Sequence, residues 1–135
     1  MSLYILNTEA ALRERVAELL RIGLWGVGPD ELHGATLAAG DRVLVYLGAP
    51  AREFVACAEL ASPVHPWTSS EAQLYPGDLS AGVQLAEIER WDPPVAMSAV
   101  LSHLDASAKA KADFDMGVVR ITEHEHETVL ALARG

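Results

Sequence analysis

A chain of 135 residues, half of them apolar, has the size of one domain, and at this length folding buries roughly 68% of the unfolded surface without covalent staples. Ten basic against nineteen acidic residues leave a net charge of −9, which argues against a protein that coats nucleic acid through many phosphate contacts but does not exclude one that holds a single base near a few arginines. The single cysteine, Cys57, excludes an internal disulfide and a paired-cysteine metal site. No apolar run reaches the length of a membrane span and MSLYILNTEA lacks the basic start of a secretion signal, so we expect a cytoplasmic protein with no membrane partner.

In chain order, Leu3 to Asn7 (LYILN) reads as a strand, with Thr8 as the N-cap of a helix over Glu9 to Ile22. Leu12, Val16, Leu19 and Leu20 recur there at helical spacing, and Gly23 is the expected C-terminal stop. The stretch GLWGVG follows, placing Trp25 among three glycines. Arg42–Leu47 and Glu53–Leu60 are two strands joined by GAPAR, and neither alternates cleanly, so both of their faces are expected to be covered. Residues 62–82 form the least regular segment, with three prolines, Trp67 and Tyr75; a loop of that length in a small domain is usually either functional or disordered, and the aromatics favour function. Val83 to Trp91 reads as a half-exposed strand closed by Asp92-Pro93-Pro94, and a short helix follows with Met97, Val100, Leu101 and Leu104 apolar. Ala106 to Asp113 is of low complexity. Gly117 to Ile121 is a last strand, and Thr122-Glu123-His124-Glu125 a capping box opening a last helix with Val129, Leu130 and Ala133 inward. The order gives one α+β domain around a curved sheet.

Catalytic patterns are not evident. His124 and His126 stand two apart, so their side chains diverge, and HEHE is not the HExxH of a zinc site; both read as a solvated first turn. There is no GxSxG, and Cys57 lies mid-strand among small apolar residues. GVG followed by Pro29 lacks the remaining residues of a dinucleotide fingerprint or a P-loop. We therefore expect neither metal, cofactor nor enzymatic activity. The three tryptophans, Trp25, Trp67 and Trp91, each adjoin turn residues, and such residues either cap the core or offer a stacking surface to a planar base.

The run GDRVLVYLGAPAREFVACAELASPV resembles the central hairpin of the EVE domain, a PUA-like fold related to the YTH domain. EIERWDPPVAMSAVLSHL is similar to its strand, double proline and short helix, and GVVRITEHEHETVLAL to its closing strand and helix; YILN, the helix and GLWG occupy the expected places at the start. The resemblance implies a compact, partly open β-barrel flanked by helices, holding a modified nucleobase flipped out of DNA or RNA. It implies that Trp25 forms one wall of an aromatic cage, with Gly26 leaving room for the ligand, and that Asn7 and Thr8 hydrogen-bond the base edge. Trp67 or Tyr75 would complete the cage, and Tyr46 would face either pocket or core. Arg42, Arg52 and Arg120 would meet phosphates. WGVG and the acidic GPDELHG stand where EVE domains often carry WDGV and a longer basic loop. Two other functions fit the same residues: a pocket for a free nucleoside or related heterocycle, and a protein-interaction module.

Overall fold

A computed structural model describes residues 2–28, 30, 36–103 and 117–135. Strand β1 (Leu3–Thr8) lies parallel to β3 (Arg42–Leu47) and antiparallel to β7 (Val118–Arg120). β3 pairs with β4 (Glu53–Leu60), and β4 with β6 (Ala81–Ala96), whose first residues also pair with β2 (Leu24–Gly26) and β5 (His65–Pro66). The sheet order is β2-β6-β4-β3-β1-β7, with β5 on the other side of β6. This strongly curled sheet forms a half-barrel, and four α-helices accompany it among the described residues: α1 (Arg13–Ile22), α2 (Ser69–Leu74), α3 (Met97–Leu101) and α4 (Glu123–Arg134). None of them is long and apolar enough to cross a membrane.

The lack of alternation in β3 has the expected cause. Val43, Val45 and Leu47 pack on one face with Tyr4, Leu6, Val16, Leu20 and Trp25, while Leu44 and Tyr46 pack on the other with Ile5, Phe54, Met97 and Val129. One apolar cluster thus sits between the sheet and α1, the second under α3 and α4. Complete burial of side chains such as Phe54 and Leu44 contributes roughly 1.5–3 kcal/mol each.

Several expectations change in detail. Thr8 is the last residue of β1, paired with Leu47, and its carbonyl accepts the Gly48 amide at 2.7 Å, so it does not cap a helix. A 3-10 turn over Ala10–Leu12 precedes α1 instead, and Leu12 is exposed rather than inward. Gly23 ends α1 as expected, at φ 77 with its amide donating to the Leu19 carbonyl. That left-handed turn suits glycine, which has no Cβ to strain it. β6 runs through Asp92-Pro93-Pro94. Phe54 pairs with Val95 and Ala56 with Arg90, so the prolines fall in a bulge where no ladder amide is required. The capping box at Thr122 is present, with Thr122 Oγ1 accepting from the Glu125 amide at 3.1 Å. His126 is buried rather than solvated. Leu104 and the Ala106–Asp113 stretch lie outside the described residues.

Candidate functional site

Two glycines build the floor of the aromatic site. Gly26 of β2 pairs with Gly82 of β6, and Gly82 pairs on its other side with His65 of β5. A Cβ on Gly26 would stand 2.1 Å from the Tyr75 hydroxyl oxygen, and one on Gly82 2.5 Å from Cη2 of Trp67. Bare backbone therefore lets both rings settle onto the strands. Trp67 and Tyr75 meet with centroids 5.0 Å apart at 41°, and His65 stands edge-on to Trp67 at 5.8 Å. Trp25, on β2 beside Gly26, is only 5% exposed and belongs to the core cluster against which Tyr75 packs. It acts as a foundation, while Trp67 and Tyr75 remain half-buried.

The aromatic segment is held by a polar network that sequence reading passed over. Thr68 Oγ1 accepts the Glu71 amide at 3.2 Å, and Glu71 Oε1 accepts the Thr68 amide at 3.0 Å, a reciprocal capping box that opens α2 directly after Trp67. Glu71 also accepts Gln84 Nε2 at 2.7 Å and faces His65 Nε2 at 2.9 Å. The Thr68 amide, then the Gln84 amide, then His65 hold the Glu71 carboxyl down at about 2. His65 Nδ1 donates to the Pro63 carbonyl at 2.9 Å, so both ring nitrogens meet acceptors. The pKa of His65 is raised, first by the Pro63 carbonyl and then by Glu71. Trp67 Nε1 donates to the Leu79 carbonyl at 3.0 Å, fixing the ring plane. The signal for this network was in the sequence: Thr68-Ser69-Ser70-Glu71 has the T-x-x-E spacing.

Trp25, Gly26, Trp67 and Tyr75 are thus brought together. The other candidates are spread over the fold. Side chains alternate along β1, so Asn7, opposite Tyr46 in the register, continues the row of Leu3 and Ile5, while Thr8 continues that of Tyr4 and Leu6 on Trp25's side of the sheet. Tyr46 is a core residue, its ring 4.8 Å from that of Phe54. Arg42 faces Glu59 at 3.8 Å in a cleft of about 800 Å³, where five glutamates (Glu59, Glu87, Glu89, Glu123, Glu127) outnumber Arg42 and Arg134. Arg52 occupies a left-handed turn at φ 48, its carbonyl accepting the Met97 amide, and Arg120 lies exposed on β7 opposite Tyr4. Among the described residues, no group of three or more His, Cys, Asp or Glu side chains is placed to hold a metal ion.

No protein-family model matches the chain, and no curated protein matches it. Solved structures do. The NMR structure of Rpa0253 from Rhodopseudomonas palustris superposes with a TM-score of 0.67 at 19% identity, covering 99% of this chain and 94% of the other. A mutant ASCH protein of Zymomonas mobilis gives 0.66 at 9% identity, with 98% and 99% covered. The YTH domain of the Zygosaccharomyces rouxii MRB1 protein, solved in complex with N6-methyladenosine RNA, gives 0.66 at 13% identity, with 99% and 85% covered. At these identities the likeness defines the fold, and the fold is PUA-like, in the company of YTH and ASCH domains.

Proposed function

We propose that this protein is a non-catalytic reader of the EVE type, which holds a modified nucleobase of a nucleic acid at the aromatic edge. The observation that carries this reading is the Trp67–Tyr75 pair seated on the side-chain-free Gly26–Gly82 floor, with Trp25 beneath it. A base flipped out of its strand loses a few kcal/mol of stacking, and aromatic partners return roughly 1–3 kcal/mol per base. The half-buried ring of Trp67, with its plane held by Leu79, provides such a partner without further ordering cost. The YTH neighbour, bound to RNA carrying N6-methyladenosine, supports a modified base in RNA as the first ligand to try. The absence of an activated thiol fits a binding role. Burial, and then the charge of Glu89, raise the pKa of Cys57, the opposite of the shift a nucleophilic cysteine needs.

The test is a titration of single-stranded RNA, with and without N6-methyladenosine, against the parent protein and Trp67→Ala. Trp25 is unsuitable for this purpose because truncating a buried tryptophan costs about 3–5 kcal/mol in stability alone. The reading expects tighter binding of the modified strand and at least a tenfold loss in Trp67→Ala. Equal binding by parent and variant sinks it. Binding of free nucleosides with no binding of oligonucleotides would move the function to a small-molecule pocket.

A further inference from the structure

The cleft of about 800 Å³ that holds Arg42 lies between α4 and the sheet, on the face opposite α1. Glu123, His126, Glu127, Leu130 and Arg134 line it from one face of the helix, at steps of three and four residues. Across from them Leu3, Arg42 and Glu59 stand side by side on β1, β3 and β4, and β6 adds Glu87 and Glu89. Both guanidiniums are already committed, Arg42 to Glu59 at 3.8 Å and Arg134 to Glu89 at 2.8 Å. Glu87, Glu123 and Glu127 are exposed and form no ion pair among the described residues. His126 is the opposite case, a polar residue only 7% exposed whose ring forms no hydrogen bond. Among the described residues no fully buried side-chain nitrogen or oxygen lacks such a partner, so the ring nitrogens of His126 open into the cleft that they line.

We propose that this cleft is a second binding site, for a free linear polyamine, with one ammonium group donating to the imidazole of His126 and the others lying among Glu87, Glu123 and Glu127. An ammonium has three donors and no acceptor, so it needs a site made of acceptors. The uncommitted carboxylates and a neutral imidazole are such a site, and burial, then Arg42, push the His126 pKa down and keep the ring neutral. No three of the described His, Cys, Asp and Glu side chains are placed to hold a metal ion, so the charge is spread along the cleft instead of gathered at a point. Spread charge suits a ligand whose cationic groups are separated by methylenes, and Leu3 and Leu130 offer those methylenes apolar contact. Glu123 and Glu125 in the first turn already offset the positive end of the α4 dipole. Walls of one predominant sign focus the field and concentrate counter-ions between them.

Calorimetric titration of the full chain with spermidine, putrescine, butylamine and tetralysine tests the site. Affinity should rise with charge from butylamine through putrescine to spermidine, and should fall as salt is added. Glu87→Gln combined with Glu127→Gln should weaken spermidine about tenfold, and His126→Leu about fivefold. Glu14→Gln, the same change of charge at an exposed position on α1 across the sheet, should leave it unaltered. Trp67→Ala should also bind spermidine as the parent does, which separates this outcome from that of the aromatic edge. Because His126→Leu removes a buried side chain, the parent is also followed by nitrogen-detected NMR of its histidine rings. Spermidine should move the His126 ring signals and leave those of His65 in place. The proposal is overturned if spermidine binds no more tightly than butylamine, if Glu14→Gln weakens it as much as the paired substitution, or if the His126 signals do not move. Tighter binding of tetralysine than of spermidine would also overturn it, by moving the site to a lysine-bearing protein partner.

Discussion

The phenol of Tyr75 occupies the space that a side chain on Gly26 would need, its hydroxyl oxygen 2.1 Å from the position of the missing Cβ. Gly82 differs, because its missing Cβ would stand 2.1 Å from the backbone carbonyl oxygen of Trp25 as well as 2.5 Å from Trp67. A side-chain tip can swing away and a paired strand cannot. Gly26→Ala should therefore cost about 1–3 kcal/mol and displace Tyr75, while Gly82→Ala should exceed about 3 kcal/mol by parting β2 from β6. Urea unfolding of the two variants checks the order; equal costs would mean that the floor is not as close-packed as described.

Glu71 and His65 should bracket the stability of the aromatic edge in pH. The folded pKa of Glu71, at about 2, lies below its ordinary 4.5, so its contribution is present above pH 4.5 and is lost as pH falls toward 2. That of His65 is raised above its ordinary 6.5, so its contribution is complete below pH 6.5 and is lost as pH climbs through the raised value. The melting-temperature gap between parent and Glu71→Gln should be widest between pH 4.5 and 6.5 and should narrow on both sides. A gap independent of pH would rule out the charged pair.

His126 should act with the opposite sign. It is buried on the inner face of α4, and burial, then Arg42, depress its pKa below 6.5, with Arg134 adding to this and Glu127 opposing it. The unfolded chain takes up a proton there before the folded one does, so this contribution is present above pH 6.5 and disappears as pH falls below it. His126→Gln should flatten the decline in melting temperature between pH 7 and pH 5, and His65→Gln should steepen it. Parallel scans of the two variants distinguish the cases.

Thr68 and Thr122 have the same local role in different places, each accepting the amide three residues on. Replacing either by alanine should cost about 1 kcal/mol in thermal unfolding. Only Thr68→Ala should also weaken ligand binding severalfold, because α2 follows Trp67 whereas α4 packs against the second core cluster. Equal binding by both variants would detach the capping box from the site.

The two long hairpin strands, the glycine stop of α1 and the last helix were legible because each is written locally, in apolar runs, a turn residue or a capping box. β2 was not, because three residues with a glycine at one end carry no period and become a strand only by pairing with β6. The prolines of β6 suggested an end; only the offset between Phe54–Val95 and Ala56–Arg90 reveals that the ladder skips them. Trp67 and Tyr75 stood out in the sequence as aromatics of an irregular segment, and the fold brings their rings to 5.0 Å. The composition of GLWGVG could not reveal that Gly26 makes room for the protein's own Tyr75, or that Trp25 is buried. The alternation that sets Asn7 and Thr8 on opposite faces of β1 was legible, but which face meets Trp25 depends on packing between distant segments.

The position of β1 between β3 and β7 has a consequence during synthesis. β1 finds its parallel neighbour only after residues 42–47 emerge, and its antiparallel one only after residues 118–120. At ribosomal rates of about 5–20 residues per second, β1 spends several seconds as an apolar segment with an unsatisfied edge. Its partners are far apart along the chain, so pairing also carries the slow kinetics of non-local contacts. During synthesis β1 is thus a point of vulnerability to aggregation, and the vulnerability ends only when β7 closes the last free side of that strand.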